Sequence, residues 1–295
     1  MDGKLIGKIA QIASVLEVSG YPKPGNVHRT RDFHDMVFED FLISGIVIGD
    51  TIEKVATSTS KGKAEIGRYI LEAVKETDKW IANNTNLGIV MLLVPISAAT
   101  AISDDFSQIQ DNIGRLMDDT TVDDAINLYD AINIAEAGGM GNQEEFDVNS
   151  SNAKEDLIKN NQTMFDVLEI SSSWDRLAHE LTNKMPVCFK IGYPTFYNLK
   201  KTTSLNRACV LTFLTILSEV PDTLISRKYG DKKAREVSYQ AKELLKFKDD
   251  INIFNKKLND FDSYLFDNKL NPGTTADLTA ASIMLSYLHL EFEKF

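Results

Sequence analysis

Apolar side chains recur at three- and four-residue spacing along most of the chain, which is the pattern of amphipathic α-helices. In the window 5–16 the apolar positions are Leu5, Ile9, Ile12, Ala13 and Leu16. Equivalent stripes occupy the windows 66–80, 122–135, 174–181, 205–217 and 278–288. Because runs of strict apolar–polar alternation are scarce, the pattern predicts an all-α fold.

The window 87–103 reads LGIVMLLVPISAATAIS, which is apolar or small throughout and carries no charge. It is shorter than the ~20 apolar residues that a membrane-spanning helix needs, and no Lys or Arg cluster flanks it. The pattern therefore predicts a central buried helix that is kinked or ended at Pro95, and no membrane as a partner.

Glycine and proline are few, with 16 Gly and 7 Pro in the chain. They cluster in short stretches, and no long Pro/Gly/Ser linker or repeat period divides the sequence. We therefore expect one compact helical domain over residues 1–295. The polar, turn-rich stretch 138–161 is the least regular part and is predicted to be a mobile surface loop.

Charge and composition narrow the functional classes. The formal net charge is −11, so the surface repels nucleic-acid phosphates, and neither DNA nor RNA is an expected partner. The two cysteines, Cys188 and Cys209, stand among apolar residues, which indicates buried thiols in a reducing compartment. Because the first residues carry charges rather than a signal-peptide core, the protein is expected to be cytoplasmic.

The densest cationic cluster lies in the window 20–35, which reads GYPKPGNVHRTRDFHD. Pro22 and Pro24 restrict the backbone on either side of Lys23, and Gly25 permits close approach of the backbone to a ligand. A stiff basic loop suits a polyphosphate, because preorganisation reduces the entropy lost on binding. An ordinary charged surface loop is the alternative. The basic residues of this loop are Lys23, His28, Arg29, Arg31 and His34.

Two aspartates of this window, Asp32 and Asp35, stand three residues apart just before an apolar run. Such a pair shares one face of a starting helix and could hold Mg²⁺ through oxygen. Acidic residues in a first turn also complement the helix dipole without binding a metal, and spacing alone favours this second interpretation.

Three further polar windows precede predicted helices. Thr85 or Asn86 is a natural N-cap of the apolar helix, Thr274 or Thr275 is one for the last helix, and a proline interrupts a helix in the window 221–230. A helix start also presents free N–H groups to an anion, so capping and phosphate binding both stay open. The chain contains no Walker sequence, no G-x-G-x-x-G and no zinc-protease helix.

Taken in order along the chain, five motifs resemble those of the triphosphoribosyl-dephospho-CoA synthase family. They are YPKPGNVHR at 21–29, His34-Asp35-Met36 with Phe41 and Ser44, Thr85-Asn86 followed by Gly88, Asp222-Thr223 followed by Arg227 and Gly230, and NPGTTADL at 271–278. The matches run from residue 21 to residue 281 and so cover nearly the whole chain. The chain departs from the family pattern at His28, where the family has Asp, and before Gly88, where a basic residue is missing.

The resemblance implies a transferase that joins the triphosphoribosyl group of ATP to the nucleotide-like acceptor dephospho-CoA and releases adenine. It implies that Lys23, Arg29 and Arg227 contact phosphates. It also implies that three aspartates bind Mg²⁺ or move the proton, because departure of a base from C1′ needs a nearby carboxylate: Asp35, Asp222 and Asp277. The remaining residues expected to bind substrate are Gly25, Asn26, His28, His34, Thr85, Asn86, Asn271, Gly273, Thr274 and Thr275.

Two alternatives stay open: a related phosphoribosyl or nucleotidyl transfer in another cofactor pathway, and a nucleotide-binding protein without turnover. We expect Asp35, Asp222 and Asp277 to converge on one cleft with Lys23 and Arg29. Replacement of Lys23 or Arg29 by Ala is expected to weaken ATP binding by ~1.5–3 kcal/mol, with little change in the melting temperature.

Overall fold

The computed structural model describes residues 1–33, 36–81, 83–135 and 153–294, which form helices joined by short connections, with no β-strand among them. The prediction of an all-α fold is confirmed. A 3₁₀ turn covers Phe106–Gln108, and a π-helical turn covers Cys188–Gly192. The helices are α1 (Gly3–Ser19), α2 (Phe38–Val47), α3 (Gly49–Ser60), α4 (Ile66–Asp78), α5 (Leu87–Ala101), α6 (Ile109–Asp118), α7 (Val122–Ile134), α8 (Ala153–Lys159), α9 (Met164–Ser171), α10 (Arg176–Thr182), α11 (Tyr193–Thr202), α12 (Leu205–Glu219), α13 (Thr223–Tyr229), α14 (Asp231–Leu245), α15 (Ile251–Asp267) and α16 (Gly273–Phe292).

The uncharged window of the sequence forms α5, which continues from Leu87 to Ala101 with Pro95 inside it. Almost all of its side chains are buried, and it packs against α1, α3, α4, α6 and α16. The prediction of a central buried helix is confirmed, but the helix does not end at Pro95. A proline inside a helix removes one backbone hydrogen bond, and here the packing of the neighbouring helices outweighs that loss.

Buried apolar side chains form two packed clusters among the described residues. The larger cluster includes residues of α1, α3, α4, α5 and α7, whereas the smaller one lies between α12, α14 and α15. Helix α16 contributes Ala276 to the smaller cluster and Leu278 to the larger one. The start of α16 therefore lies where the two clusters meet. Cys188 and Cys209 are free and buried, as predicted.

The predicted loop 138–161 lies partly outside the described residues, which stop at 135 and resume at 153. For its last part the prediction is wrong, because Ala153–Lys159 form helix α8. Ala153 and Leu157 stand one turn apart and are both buried in this helix. So short an apolar face is difficult to recognise in a polar stretch of sequence.

No single helix of the described part is long and apolar enough to cross a membrane. Helices α12 and α13 reach the length and composition of a span only when they are taken together, and the pair is bent by 53°. The bend lies at the break that follows Glu219 and contains Pro221.

Candidate functional site

Asp222 ties the starts of two helices together. Its Oδ1 accepts hydrogen bonds from the backbone N–H groups of Leu224 at 2.9 Å and Ile225 at 3.1 Å, which caps α13. Its Oδ2 accepts from the backbone N–H of Thr275 at 2.7 Å and from the Thr275 hydroxyl at 2.8 Å, in the first turn of α16. Burial raises the pKa of Asp222, and these hydrogen bonds oppose the shift. The carboxylate thus uses its lone pairs on protein donors and fixes α13 against α16.

The start of α10 contacts the starts of α13 and α16 through two hydroxyl groups. The backbone N–H of Arg176 donates to Thr223 Oγ1 at 3.3 Å, and this oxygen lies 3.2 Å from Thr274 Oγ1. Asp175 caps α10 by accepting two backbone N–H bonds through Oδ1, and its Oδ2 forms an ion pair with Arg227 Nη1. The starts of α10, α13 and α16 therefore meet at one place, which we call the junction.

The carboxylate of Asp277 lies against the start of α5. A Cβ atom placed on Gly88, in the first turn of α5, would lie 2.1 Å from Asp277 Oδ2, so only glycine leaves room for the carboxylate. Asp277 is half-buried, and it forms no hydrogen bond or ion pair with any residue that the structure describes. A carboxylate held beside a helix start without a protein partner is available to a ligand.

The surroundings of Asp277 disfavour its negative charge. Its pKa is raised well above the ordinary value, first by burial and then by the charges of Glu17, Asp222 and Asp175, whereas Arg227 opposes the shift. These charges come from segments far apart in sequence, which meet through the packing of α1 against α16, the bond of Asp222 to Thr275 and the ion pair of Asp175 with Arg227. A carboxylate with a raised pKa is a stronger base than an ordinary aspartate, and such groups are concentrated at functional sites.

Lys23 was expected to contact phosphate, but it has a partner inside the protein. Its Nζ lies 2.5 Å from Glu17 Oε1 and also donates to the main-chain oxygen of Glu17 at 3.2 Å. Both side chains are only 2% exposed. Burial raises the pKa of Glu17, and Lys23 opposes this shift. Helix α1, which carries Glu17, packs against α16, which carries Asp277, and the charge of Glu17 raises the pKa of Asp277. The charge of Lys23 is already compensated by Glu17.

Asp262 of α15 anchors the cationic loop. Its Oδ1 accepts the N–H of Gly25 at 3.0 Å, and its Oδ2 lies 3.3 Å from both His28 Nε2 and Arg31 Nη1. Gly25 has a φ of +70°, and a Cβ there would lie 2.4 Å from the carbonyl oxygen of Leu270, so this position requires glycine. His28, which was predicted to bind the substrate, is thus buried and contacts Asp262 instead.

Two other predicted ligands of the loop differ in their surroundings. Asn26 Nδ2 donates to Asn271 Oδ1 at 2.9 Å, which joins the loop to the segment before α16. Arg29 is exposed, its Nε donates to the carbonyl oxygen of Ser19 at 2.7 Å, and its guanidinium lies 4.5 Å from the centroid of the Tyr21 ring. The fold therefore brings Asn26 to the α16 motif, whereas Arg29 is held at the surface by the end of α1 and by Tyr21 of its own loop.

Asn86 occupies the N-cap position of α5 as predicted, but its side chain does not cap the helix. Asn84 Oδ1 accepts the N–H of Leu87 at 3.2 Å instead, and Asn86 Nδ2 donates to Thr77 Oγ1 at 2.9 Å. Thr85 Oγ1 is buried and has no hydrogen-bond partner. A second asparagine in this polar window thus provides the cap, and the Thr85 hydroxyl lies unpaired next to the helix start.

The predicted caps of α16 are wrong. The helix begins at Gly273, and neither Thr274 nor Thr275 caps it with a side-chain oxygen. The acceptor is Asp222, which precedes another helix and approaches α16 only in the folded chain. A Cβ on Gly273 would lie 2.8 Å from Leu224 Cδ2, which shows how closely the two helix starts pack.

The predicted site residues His34 and Asp35 lie outside the described residues, so their roles stay predictions. Asp32 Oδ1 accepts the N–H of Phe38, the first residue of α2, at 2.8 Å, which is the helix-start alternative to a metal ligand. Within the described ranges, no three His, Cys, Asp or Glu side chains are grouped as metal ligands would be. Mg²⁺ stays a prediction that rests on the family resemblance.

Several residues of the junction were not found by sequence analysis. Burial lowers the pKa of His179 on α10, and the charge of Arg176 adds to this effect. Each missed residue has an ordinary local pattern, such as an N-cap aspartate or a polar position on an amphipathic helix, so only the folded chain reveals it. The missed residues are Glu17, Asp175, Arg176, His179 and Asp262.

Comparison with known proteins adds two findings. The profile of the ATP:dephospho-CoA triphosphoribosyl transferase family matches residues 4–294. The fold is also similar to that of a candidate triphosphoribosyl-dephospho-CoA synthase from Archaeoglobus fulgidus, with a TM-score of 0.67 and 19% sequence identity over 84% of this chain and 98% of that chain. At this identity the likeness concerns the fold alone. No curated protein matches the sequence.

Proposed function

The chain belongs to the ATP:dephospho-CoA triphosphoribosyl transferase family, and from this premise we propose that it joins the triphosphoribosyl group of ATP to dephospho-CoA and releases adenine. The observation that supports this most is the carboxylate of Asp277. It is half-buried, it lies against Gly88 at the start of α5, and it has no partner among the described residues. A purely structural aspartate in such a position would be paired.

The reaction exchanges two bonds at one carbon. The bond between C1′ of the ATP ribose and the adenine nitrogen breaks, and adenine keeps the electron pair. A bond forms from the hydroxyl oxygen of the acceptor to C1′. The hydroxyl loses one proton and adenine gains one, so the step needs no oxidant or reductant.

Asp277 is suited to two parts of this reaction. Departure of the base builds positive charge on the ribose, and a carboxylate nearby stabilises that charge. Because burial and the neighbouring carboxylates raise its pKa, Asp277 is also a better base for the acceptor hydroxyl than an ordinary aspartate. We assign both the electrostatic stabilisation and the proton transfer to this residue.

Asp222 is given a positioning role. Its four hydrogen bonds to α13 and α16 hold the helix that carries Asp277 in place. A metal ion would have to displace one of these donors to reach its oxygens. Asp277, by contrast, offers free lone pairs.

The polyphosphate of ATP needs positive charge from the protein. Arg227 lies at the junction beside Asp175 and acts on Asp277, which supports its predicted contact with phosphate. Mg²⁺ bound to ATP usually takes one or two protein carboxylates and keeps the phosphates and water as its other ligands. The described residues fit such an ion only through Asp277, and it would supply charge neutralisation of the triphosphate.

Mass spectrometry of the products tests this proposal. The protein is incubated with ATP, Mg²⁺ and a panel of acceptors that includes dephospho-CoA, and Asp277→Asn is the matched control. The expected products are free adenine and an acceptor heavier by one triphosphoribosyl group. Adenine release with another acceptor would support the related-transfer alternative, and ATP binding without adenine release would support the non-catalytic one. Release of diphosphate or ADP in place of adenine would contradict the proposal.

A further inference from the structure

Buried side-chain nitrogens without hydrogen-bond partners occur in one region of the described chain. They are Arg176 Nε and His179 Nδ1 on α10, and Arg227 Nε on α13. The other unpartnered buried side-chain atoms of the described residues are hydroxyl oxygens. An unpaired buried polar group costs about 1–3 kcal/mol, so a cluster of such nitrogens beside a candidate site indicates polar groups kept for a ligand.

Both arginines are neighbours of Asp175. Asp175 precedes Arg176 directly and forms an ion pair with Arg227. The backbone of Arg176 is held at the junction by its hydrogen bond to Thr223, which contacts Thr274 at the start of α16. Both arginines are therefore in contact with residues of the junction that carries Asp277.

The two arginines differ in how much of their charge is compensated. Arg227 has Asp175 as its partner, whereas the Arg176 guanidinium makes no hydrogen bond or ion pair with any residue that the structure describes. The protein as a whole carries a net charge of −11. The charge of Arg176 acts on Glu180, but this carboxylate forms no ion pair with Arg176 and accepts the backbone N–H groups of Val187 and Cys188 instead. An arginine left unpaired in an acidic protein fits an anionic ligand.

We propose that Arg176 binds a phosphate group of a substrate phosphoanhydride chain, together with Arg227. This inference rests on the proposed function, which it deepens by naming a binding residue that the sequence motifs do not contain. The planar guanidinium matches phosphate oxygens with two parallel hydrogen bonds, which a lysine cannot reproduce. Both the triphosphate of ATP and the diphosphate of dephospho-CoA present this chemistry.

Calorimetric titration with inorganic tripolyphosphate tests the binding directly, without turnover. Arg176→Ala is expected to weaken tripolyphosphate about 10-fold to 100-fold, and Arg176→Lys is expected to restore only part of the affinity. Arg235→Ala is the matched control, because Arg235 is an exposed arginine on α14 that forms no hydrogen bond or ion pair with the junction residues that the structure describes. The contact of Arg176 with Thr223 is made by the backbone, so these side-chain replacements leave it in place.

Steady-state kinetics then distinguish the two sources of the phosphate. A raised KM for ATP alone assigns Arg176 to the triphosphate, and a raised KM for dephospho-CoA alone assigns it to the diphosphate. Equal tripolyphosphate affinity in Arg176→Ala, Arg176→Gln and Arg235→Ala would overturn the inference, even if adenine is released. Weakened tripolyphosphate binding in a protein that never releases adenine would uphold this site and contradict the proposed function instead.

Discussion

Replacement of Lys23 by Met separates a structural role of this lysine from phosphate binding. The Lys23 ammonium and the Glu17 carboxylate lie 2.5 Å apart, and each side chain is 2% exposed. Met has a similar length but no charge, so Lys23→Met leaves Glu17 buried without its partner. Breaking a buried ion pair in this way costs about 3–5 kcal/mol of the free energy of unfolding.

This loss can be converted into a melting temperature. An unfolding entropy of about 2.1 cal/mol/K per residue gives about 0.6 kcal/mol/K for a chain of 295 residues. The melting temperature should therefore fall by about 5–8 °C. The double variant Glu17→Gln/Lys23→Met removes both charges and should recover most of the loss. The structure thus replaces the expectation from sequence, which was a nearly unchanged melting temperature.

The pH dependence of the stability of Lys23→Met also tests the structural role of this lysine. Burial already raises the pKa of Glu17, and removal of Lys23 removes the charge that opposes this shift. A carboxyl group whose pKa is raised by folding destabilises the protein increasingly as the pH rises above the value of the unfolded chain. The difference in stability between the wild type and Lys23→Met should therefore be small near pH 4.5 and grow towards neutral pH.

Thermal melts followed by circular dichroism at several pH values provide the measurement. The matched control is Lys8→Met, because Lys8 is an exposed lysine on the same helix α1. If Lys23→Met melts like Lys8→Met while its ATP affinity falls, the buried ion pair does not contribute as argued. Lys23 would then be a ligand rather than a structural residue.

Three further predictions concern the junction. Asp277→Asn should increase stability at neutral pH, because folding raises the pKa of this carboxyl above 3.8. Thermal melts at pH 5 and pH 8 should show a larger gain at the higher pH. An equal gain at both pH values would contradict the pKa shift. Gly88→Ala places a methyl group 2.1 Å from Asp277 Oδ2 and should lower the rate of adenine release by about 100-fold. The circular dichroism spectrum of this variant should be like that of the wild type. An unchanged rate would show that the position of the carboxylate does not matter for the reaction. Asp222→Ala removes the acceptor of two helix starts and should lower the free energy of unfolding by about 1–4 kcal/mol in urea titrations, and a loss below that range would refute its positioning role.

The helical architecture could be predicted from the sequence because it depends on local periodicity. Apolar spacing identified α1, α4, α7 and α16, and the uncharged window identified the central helix α5. The prediction was wrong for α8, where only Ala153 and Leu157 are buried. The sequence predicted a kink or an end at Pro95, and the end did not occur, since packing around α5 overrides the local cost of a proline.

The candidate site was predictable only in part, because its contacts join distant segments. The family-like motifs contain Asp222, Asp277 and Gly88, and the fold brings these residues together at the start of α16, while their roles in binding or catalysis stay predictions. No local pattern reveals that Asp222 caps α16, which lies more than 50 positions further along the chain. The same limit applies to the pairing of Lys23 with Glu17. A basic residue in a motif is predicted to bind the substrate unless its buried ion-pair partner is known.

The rate of adenine release in wild type and Asp277→Asn, measured in single-turnover reactions with ATP and dephospho-CoA, tests the central claim most directly. Chromatography quantifies free adenine, and equilibrium binding of ATP to both proteins is measured in parallel. We predict that the wild type releases one adenine per acceptor modified, and that Asp277→Asn loses about 10²–10⁴-fold in rate while it still binds ATP. Release of adenine by Asp277→Asn at the wild-type rate would contradict the assignment of the chemistry to this carboxylate.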